Sequence, residues 1–322
     1  SGPITASPVI WGQNVPVTMR RATAEEAEAR KPKRPQTPKP PFLYSQEEVT
    51  FTNLDDETTL AGTIIIPDGD GPFPAVVFIT GSGPQDRDET IFDHKPFFVL
   101  ADYLARHGIA SLRYDDRGVG GSTGKTMQST AFDTAGDVMS AIELLQTRPK
   151  IHADKIGLIG HSEGGIVAPI VAADNPSVDF LVLLAGTGRP GVEVLASQLR
   201  AILAASGVAG EELDRQIEIQ QAALRKVIEG ETLEEVRAAV EELLLAQSGL
   251  TRNEDGSVPE SIRPGVEAQT AALSSPWFQS FLVLDPRTYL RKVKQPVIAM
   301  NGSLAYQVTH DQKLQEHSKA TE

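Results

Sequence analysis

The sequence predicts an α/β protein: a mostly parallel sheet covered by helices on both faces, interrupted by an all-helical insertion. Three observations predict it. From Glu47 to Leu184, short apolar runs alternate with stretches of helical periodicity, the rhythm of strands joined through helices. Several of these runs are apolar throughout, as in Ala75 to Ile79, which suits strands buried on both faces. After a helical stretch from 189 to 285, the sheet pattern returns at Gln295-Pro296-Val297-Ile298-Ala299-Met300. That return makes the stretch a cap inserted between two strands rather than an independent helical domain.

Residues 1–20 hold Pro8-Val9-Ile10-Trp11 and Val15-Pro16-Val17-Thr18-Met19, short strand ends that read as the remnant of a small β-domain. Two such pieces are too few to make a sheet alone. Residues 21–42 are charged and then proline-rich, the composition of a solvated, extended linker. The main domain is expected over 43–322. Val49 and Phe51 alternate with Thr50 and Thr52, and Thr59 to Ile66 follows as a second strand. Asp68-Gly69-Asp70-Gly71 supplies the turn into Ala75 to Ile79. That strand ends in Gly81-Ser82-Gly83-Pro84-Gln85. A helix is expected from Pro96 to His107, stopped by Gly108. The strand Ala110 to Tyr114 and the loop Asp115-Asp116-Arg117 come next, then a helix from Ala131 to Thr147. Asp115, Asp116 and Arg117 read as a loop-stabilising cluster. Inside the insertion, Val192 to Ala205, Glu211 to Glu229 and Leu233 to Gln247 carry helical periodicity. Trp277, Phe278 and Phe281 read as its core.

The chemistry is expected at Lys155 to Val171. An apolar strand, Ile156 to Ile159, runs into Gly160-His161-Ser162-Glu163-Gly164-Gly165 and then into a second apolar run. Strand, G-x-S-x-G, helix is the context of a nucleophile elbow. So tight a turn forces Ser162 into a strained backbone conformation and leaves no room for side chains at Gly160 and Gly164. The helix that follows aims free N–H groups at the same point. In open parallel sheets, sites lie at the carboxyl ends of the strands. The Gly81 loop, the Arg117 loop and Ser162 all fall at that edge.

Composition narrows the alternatives. Hydrophobic residues are 40% and charged residues 23% of the 322, enough for a sizeable core. The net charge of -13 disfavours a nucleic-acid partner. There is no cysteine, so disulfides and thiolate chemistry are excluded. No apolar run reaches the roughly 18 residues of a membrane span. No signal peptide is read, and the start at Ser1 suggests a processed product or a fragment. No cofactor and no metal site is expected, and the oligomeric state is open. Gly120-Gly121-Ser122-Thr123-Gly124-Lys125-Thr126 imitates a phosphate-binding loop. Val119 stands where that pattern wants glycine, and helical periodicity begins only near Ala131.

The runs GSGPQDRDE from Gly81, RYDDRGVGGSTG from Arg113 and GHSEGG from Gly160 together resemble the bacterial EstD-like esterases, over about Glu47 to Lys319. The resemblance implies an α/β-hydrolase fold and a serine carboxylesterase acting on short acyl esters. It implies Ser162 as nucleophile and the backbone N–H groups of Ser82 and Glu163 as oxyanion hole. Gly83 and His94 would touch a small-molecule ester substrate, and a periplasmic or secreted location is suggested. Against the family's N-G-x-x-D-x-Q-V, this chain reads Asn301-Gly302-Ser303-Leu304-Ala305-Tyr306-Gln307-Val308, with Ala305 at the acid position. The family's last strand and catalytic histidine are not found before Glu322, so the chain is expected to be truncated at both ends. Of the six histidines, His107 and His152 read as element ends and His161 as part of the turn. His317 falls in the final helix, and His310 is the nearest substitute base. Two functions stay open: an ester hydrolase, of which residues 1–322 alone would show little activity, or a non-catalytic binding protein of the same fold.

Overall fold

The structure is a computed structural model that describes residues 4–6, 9–10, 13–14, 17–19, 22–30 and 33–302. Strands β1 (Ile4–Ala6) and β4 (Val17–Met19) pair antiparallel, as do β2 (Val9–Ile10) and β3 (Gln13–Asn14). The stretch expected as extended linker contains a short helix, α1 (Ala24–Ala29). Its cause is local. Thr23 accepts the N–H of Glu26, and Glu26 accepts the N–H of Thr23, a reciprocal capping box.

The sheet proper is built from β5 (Tyr44–Asn53), β6 (Thr58–Pro67), β7 (Phe73–Ile79), β8 (Ala110–Tyr114), β9 (Ile151–His161), β10 (Val178–Leu184) and β11 (Val297–Met300). Its spatial order is β11-β10-β9-β7-β8-β6-β5. All neighbours from β11 to β8 are parallel, and only β6 runs against its neighbours β8 and β5. Helices α2 (Pro96–Arg106), α3 (Ala131–Gln146) and α4 (Gly164–Asp174) make the crossovers. Side chains of β7 alternate between two cores. Ala75, Val77 and Ile79 join residues of α3 and α4 on one face. Val76 and Phe78 join Phe97, Ala101 and Ala105 of α2 on the other. Both faces are therefore covered, which is why Ala75 to Ile79 of β7 reads as an unbroken apolar run; β8 is buried as well although it carries Ser111 and Arg113.

The chain divides into two compact units, Ser1–Lys33 with Val192–Val283, and Arg34–Gly191 with Leu284–Glu322. In the first, α5 (Gly191–Ala205), α6 (Gly210–Ile228), α7 (Leu233–Ser248), α8 (Arg263–Leu273) and α9 (Pro276–Val283) follow one another. Leu224, Val227, Val236, Val240, Val266, Leu273 and Leu282 form its own buried cluster, with Phe278 packed against it. Trp277 stacks on Phe281. In the second unit, α10 (Arg287–Leu290) sends Leu290 to the α3–α4 face of the sheet.

Candidate active site

The sharp turn between β9 and α4 carries Ser162. Its φ is +52°, a conformation costly for a residue with a Cβ. Close packing imposes it. A Cβ on Gly160 would lie 2.1 Å from the carbonyl oxygen of Gly164, and one on Gly164 would lie 2.3 Å from that of Ile79. Both obstacles are backbone, so neither can swing aside. The N–H of Ser162 donates to the Leu184 carbonyl at the end of β10 (2.9 Å), and its own carbonyl accepts from Gly165 (2.9 Å). The strand-to-helix turn is thereby tied to the next strand at the carboxyl edge of the sheet. Glu163 follows as the residue that opens α4, and Ile166 and Val167 donate to its carbonyl.

The loop after β7 lies directly against this turn. A Cβ on Gly81 would fall 3.2 Å from the Cβ of Ser162 and 3.2 Å from Nδ1 of His161. Ser82, the next residue, is exposed, and Gly83 has φ +87° with open space on its Cβ side. Ser162, Glu163 and the Ser82–Gly83 segment are thus brought to one edge of the sheet. His94 is a different case. It is half-buried, exchanges backbone hydrogen bonds with Ile91, and its Nδ1 is buried without a partner. No hydrogen bond joins it to Ser162, Ser82, Gly83 or Glu163 among the described residues.

Two carboxylates hold the loop. Asp116 accepts from the Thr80 hydroxyl (2.6 Å) and from the N–H of Gln85 (2.9 Å), gripping the segment at both ends. The residue is only partly exposed, with its carboxylate beneath the loop. Burial pushes its pKa up to about 7, against the two hydrogen bonds that favour the charge, and the nearby charges of Glu163 and Glu89 push the same way. Glu89 accepts the Gly81 N–H at 2.8 Å and meets His161 Nδ1 at 2.7 Å, both on Oε1. Sequence reasoning missed Glu89, although it closes the GSGPQDRDE run; nothing local reveals a partner 72 positions away.

The remaining charges of the two motif loops are structural ties. Asp115 takes a bidentate pair from Arg87 (Nε 3.1 Å, Nη2 2.8 Å), and Arg87 also reaches Glu48. Arg117 donates to both oxygens of Asp137 on α3 at 2.7 Å and pairs with Asp56. The expected Asp115–Asp116–Arg117 cluster therefore works outward: Asp115 and Asp116 tie it to the loop after β7, and Arg117 ties it to α3. Gly120 packs on the Asp115 carboxylate; a single 3₁₀ turn, Thr126–Gln128, follows the loop, and the α-helix begins only at Ala131, capped by Thr130. Of the six histidines, His94, His107, His152 and His161 are described, and none hydrogen-bonds Ser162. His107 Nδ1 meets the Tyr103 carbonyl one helical turn back. Ala305, His310 and His317 lie outside the described residues. Among those described, no group of three His, Asp or Glu side chains is placed to hold a metal ion.

Known proteins match this chain in both sequence and fold. The Hydrolase_4 family, described as serine aminopeptidase, S33, matches residues 95–228. Esterase EstD of Thermotoga maritima is 34% identical over 160 residues, which are 50% of this chain and 37% of that protein. The chain thus spans well under half the length of this curated relative. Among solved structures, the α/β hydrolase GrgF from Penicillium sp. sh18 is similar with a TM-score of 0.54 at 20% identity, covering 85% of this chain and 86% of that one. The Pyrococcus furiosus esterase PF2001 gives 0.54 at 15% identity, with coverages of 86% and 76%. Sequence and structure point the same way: the chain has the α/β-hydrolase fold and resembles Esterase EstD over half of its length.

Proposed function

We propose that this protein is a serine carboxylesterase acting on short acyl esters, with Ser162 as nucleophile. One observation carries the reading: Ser162 stands strained at φ +52° on a strand-to-helix turn, with the Gly81 loop packed on its Cβ. A hydroxyl so presented attacks the ester carbonyl, the C–O bond to the alcohol breaks and the alcohol leaves, and water then hydrolyses the acyl-enzyme to the free acid. The developing oxyanion would accept the backbone N–H groups of Ser82 and Glu163. Preorganised donors of this kind contribute about 3–4 kcal/mol each to the barrier reduction. The name of the Thermotoga relative supports an ester as substrate. Gly83, beside the loop donor and open on its Cβ side, would admit the acyl group. Ser162 requires a base to take its proton, and no described imidazole is bonded to it. The test is labelling with a fluorophosphonate, located by mass spectrometry, beside hydrolysis of p-nitrophenyl acetate. Both should map to Ser162 and vanish in Ser162→Ala. Persistent labelling of the variant would move the nucleophile elsewhere. A wild type inert to both reagents would favour a binding protein of this fold.

A further inference from the structure

Glu89 is a buried carboxylate that touches both the Gly81 loop and the His161 ring of the Ser162 turn. Only 7% of its surface is exposed, and its backbone adopts φ +51°. That strained conformation is stabilised around it: Asp86 accepts the N–H of Glu89 on its carbonyl (2.8 Å) and those of Asp88 and Thr90 on its side chain. Oε1 of Glu89 accepts from Gly81 N–H at 2.8 Å and meets His161 Nδ1 at 2.7 Å. A Cβ on Gly81 would lie 3.0 Å from this oxygen, 3.2 Å from His161 Nδ1 and 3.2 Å from the Ser162 Cβ. Two segments, Glu89 and the His161–Ser162 turn, therefore converge on one glycine. The residue after that glycine is Ser82, and the residue after His161 is Ser162.

We propose that Glu89 is a positioning residue: its carboxylate clamps Gly81 to the His161 ring and so sets the Ser82 N–H against Ser162. The inference rests on the esterase reading for its consequence, but not for its geometry. An ionised carboxylate oxygen only accepts hydrogen bonds, so His161 carries its hydrogen on Nδ1. The ring is fixed toward Glu89 and serves as an arm of the clamp. Its side chain is 42% exposed, so its other edge reaches solvent. No hydrogen bond joins it to Ser162 among the described residues.

Removing the clamp should displace the loop donor without touching the nucleophile. A misplacement of about 1 Å in a site of this kind costs about 10²-fold in rate. Glu89→Ala should therefore lower kcat for p-nitrophenyl acetate by about 10²-fold, with KM changed less than about threefold, because an oxyanion donor acts in the transition state. Glu89→Gln keeps an oxygen able to accept both bonds and should stay within about tenfold of wild type, since both hydrogen bonds are weakened rather than lost. Should Glu89→Ala fail to fold, His161→Ala removes the other arm. It should lower kcat on the order of tenfold while leaving KM in place. Independently of turnover, ¹⁵N NMR of the His161 ring should show the Nδ1–H tautomer in wild type and Glu89→Gln, and its loss in Glu89→Ala.

Unchanged kcat in Glu89→Ala, or in His161→Ala where that variant stands in, overturns the proposal. A Gln variant as slow as the Ala variant also overturns it, since the charge and not the placement would then matter. An Nε2–H tautomer in wild type removes the clamp itself. A wild type inert to ester and fluorophosphonate brings down the esterase reading and with it the oxyanion role, while the NMR result still decides whether Glu89 holds the ring.

Discussion

At Gly160 and Gly164 a single methyl group is enough to test the turn that presents Ser162. A Cβ at Gly164 would stand 2.3 Å from the Ile79 oxygen and 2.8 Å from that of Thr80. Backbone on two sides cannot yield, so Gly164→Ala should cost about 3 kcal/mol or more in urea denaturation. A loss under about 1 kcal/mol would mean that α4 does not pack this closely on β7. The Gly160 clash is legible in the spacing G-x-S-x-G, because Gly160 and Gly164 lie within five consecutive residues, whereas the Gly164 clash comes from β7 and is seen only in the tertiary structure. Asp116 supplies a second prediction. Its folded-state pKa is raised to about 7, against roughly 3.9 unfolded. Between those values the folded protein binds more protons than the unfolded chain. The stability this group contributes is therefore full below about pH 4 and is lost as pH rises through about 7. Asp116→Asn resembles the protonated acid, whose added hydrogen would point at the Thr80 hydroxyl, and it escapes that loss. Relative to wild type the variant should gain about 2–4 kcal/mol between pH 4 and pH 8, after allowance for solvent screening. Equal pH profiles from denaturant melts would count against an enclosed carboxylate at this position.

Among the elements, α3 shows how a motif loop is tied into the fold. Arg117 is 7% and Asp137 2% exposed, and the two form a bidentate pair that Asn53 of β5 completes at 2.8 Å on Asp137. Removing one partner strands a buried charge. Asp137→Ala should cost about 3–5 kcal/mol, whereas replacing both charges, Arg117→Met with Asp137→Leu, should cost distinctly less. Equal losses in thermal melts of the two variants would show that the pair is not desolvated. The strands and helices of this unit were legible because their apolar period matched their burial. β8 coincides with the expected Ala110 to Tyr114, although there burial goes beyond the apolar residues and takes in Ser111 and Arg113. β9 is longer than its apolar run: it starts at Ile151, and His152 to Lys155 are half-buried or exposed. Backbone pairing extended this strand past the side chains that reveal it. α1 was overlooked for the opposite reason. A capping box sets its start, and no apolar face accompanies it.

For the whole molecule, the decisive prediction concerns the base. No histidine hydrogen-bonds Ser162 among the described residues, and a site left without a base should hydrolyse p-nitrophenyl acetate at no more than about 10³–10⁴ over water, the residual that an oxyanion hole and binding leave. Brisk turnover that Ser162→Ala abolishes would place a base among residues 303–322. His310→Ala and His317→Ala would then show which of the two supplies it. By itself the sequence determined the parallel sheet, its crossover helices and the strained serine, since each follows from periodicity or contact within a few neighbouring residues. Tertiary structure alone decided that Asp116 grips Thr80 and Gln85, that Arg117 reaches α3, and that Glu89 joins Gly81 to His161. Apart from the Gly81–Glu89 bond, which spans 8 positions, these are pairings of charge and hydrogen bond between segments tens of residues apart. No local pattern encodes them, because the partner is selected only when the strands align and bring their carboxyl ends to one edge.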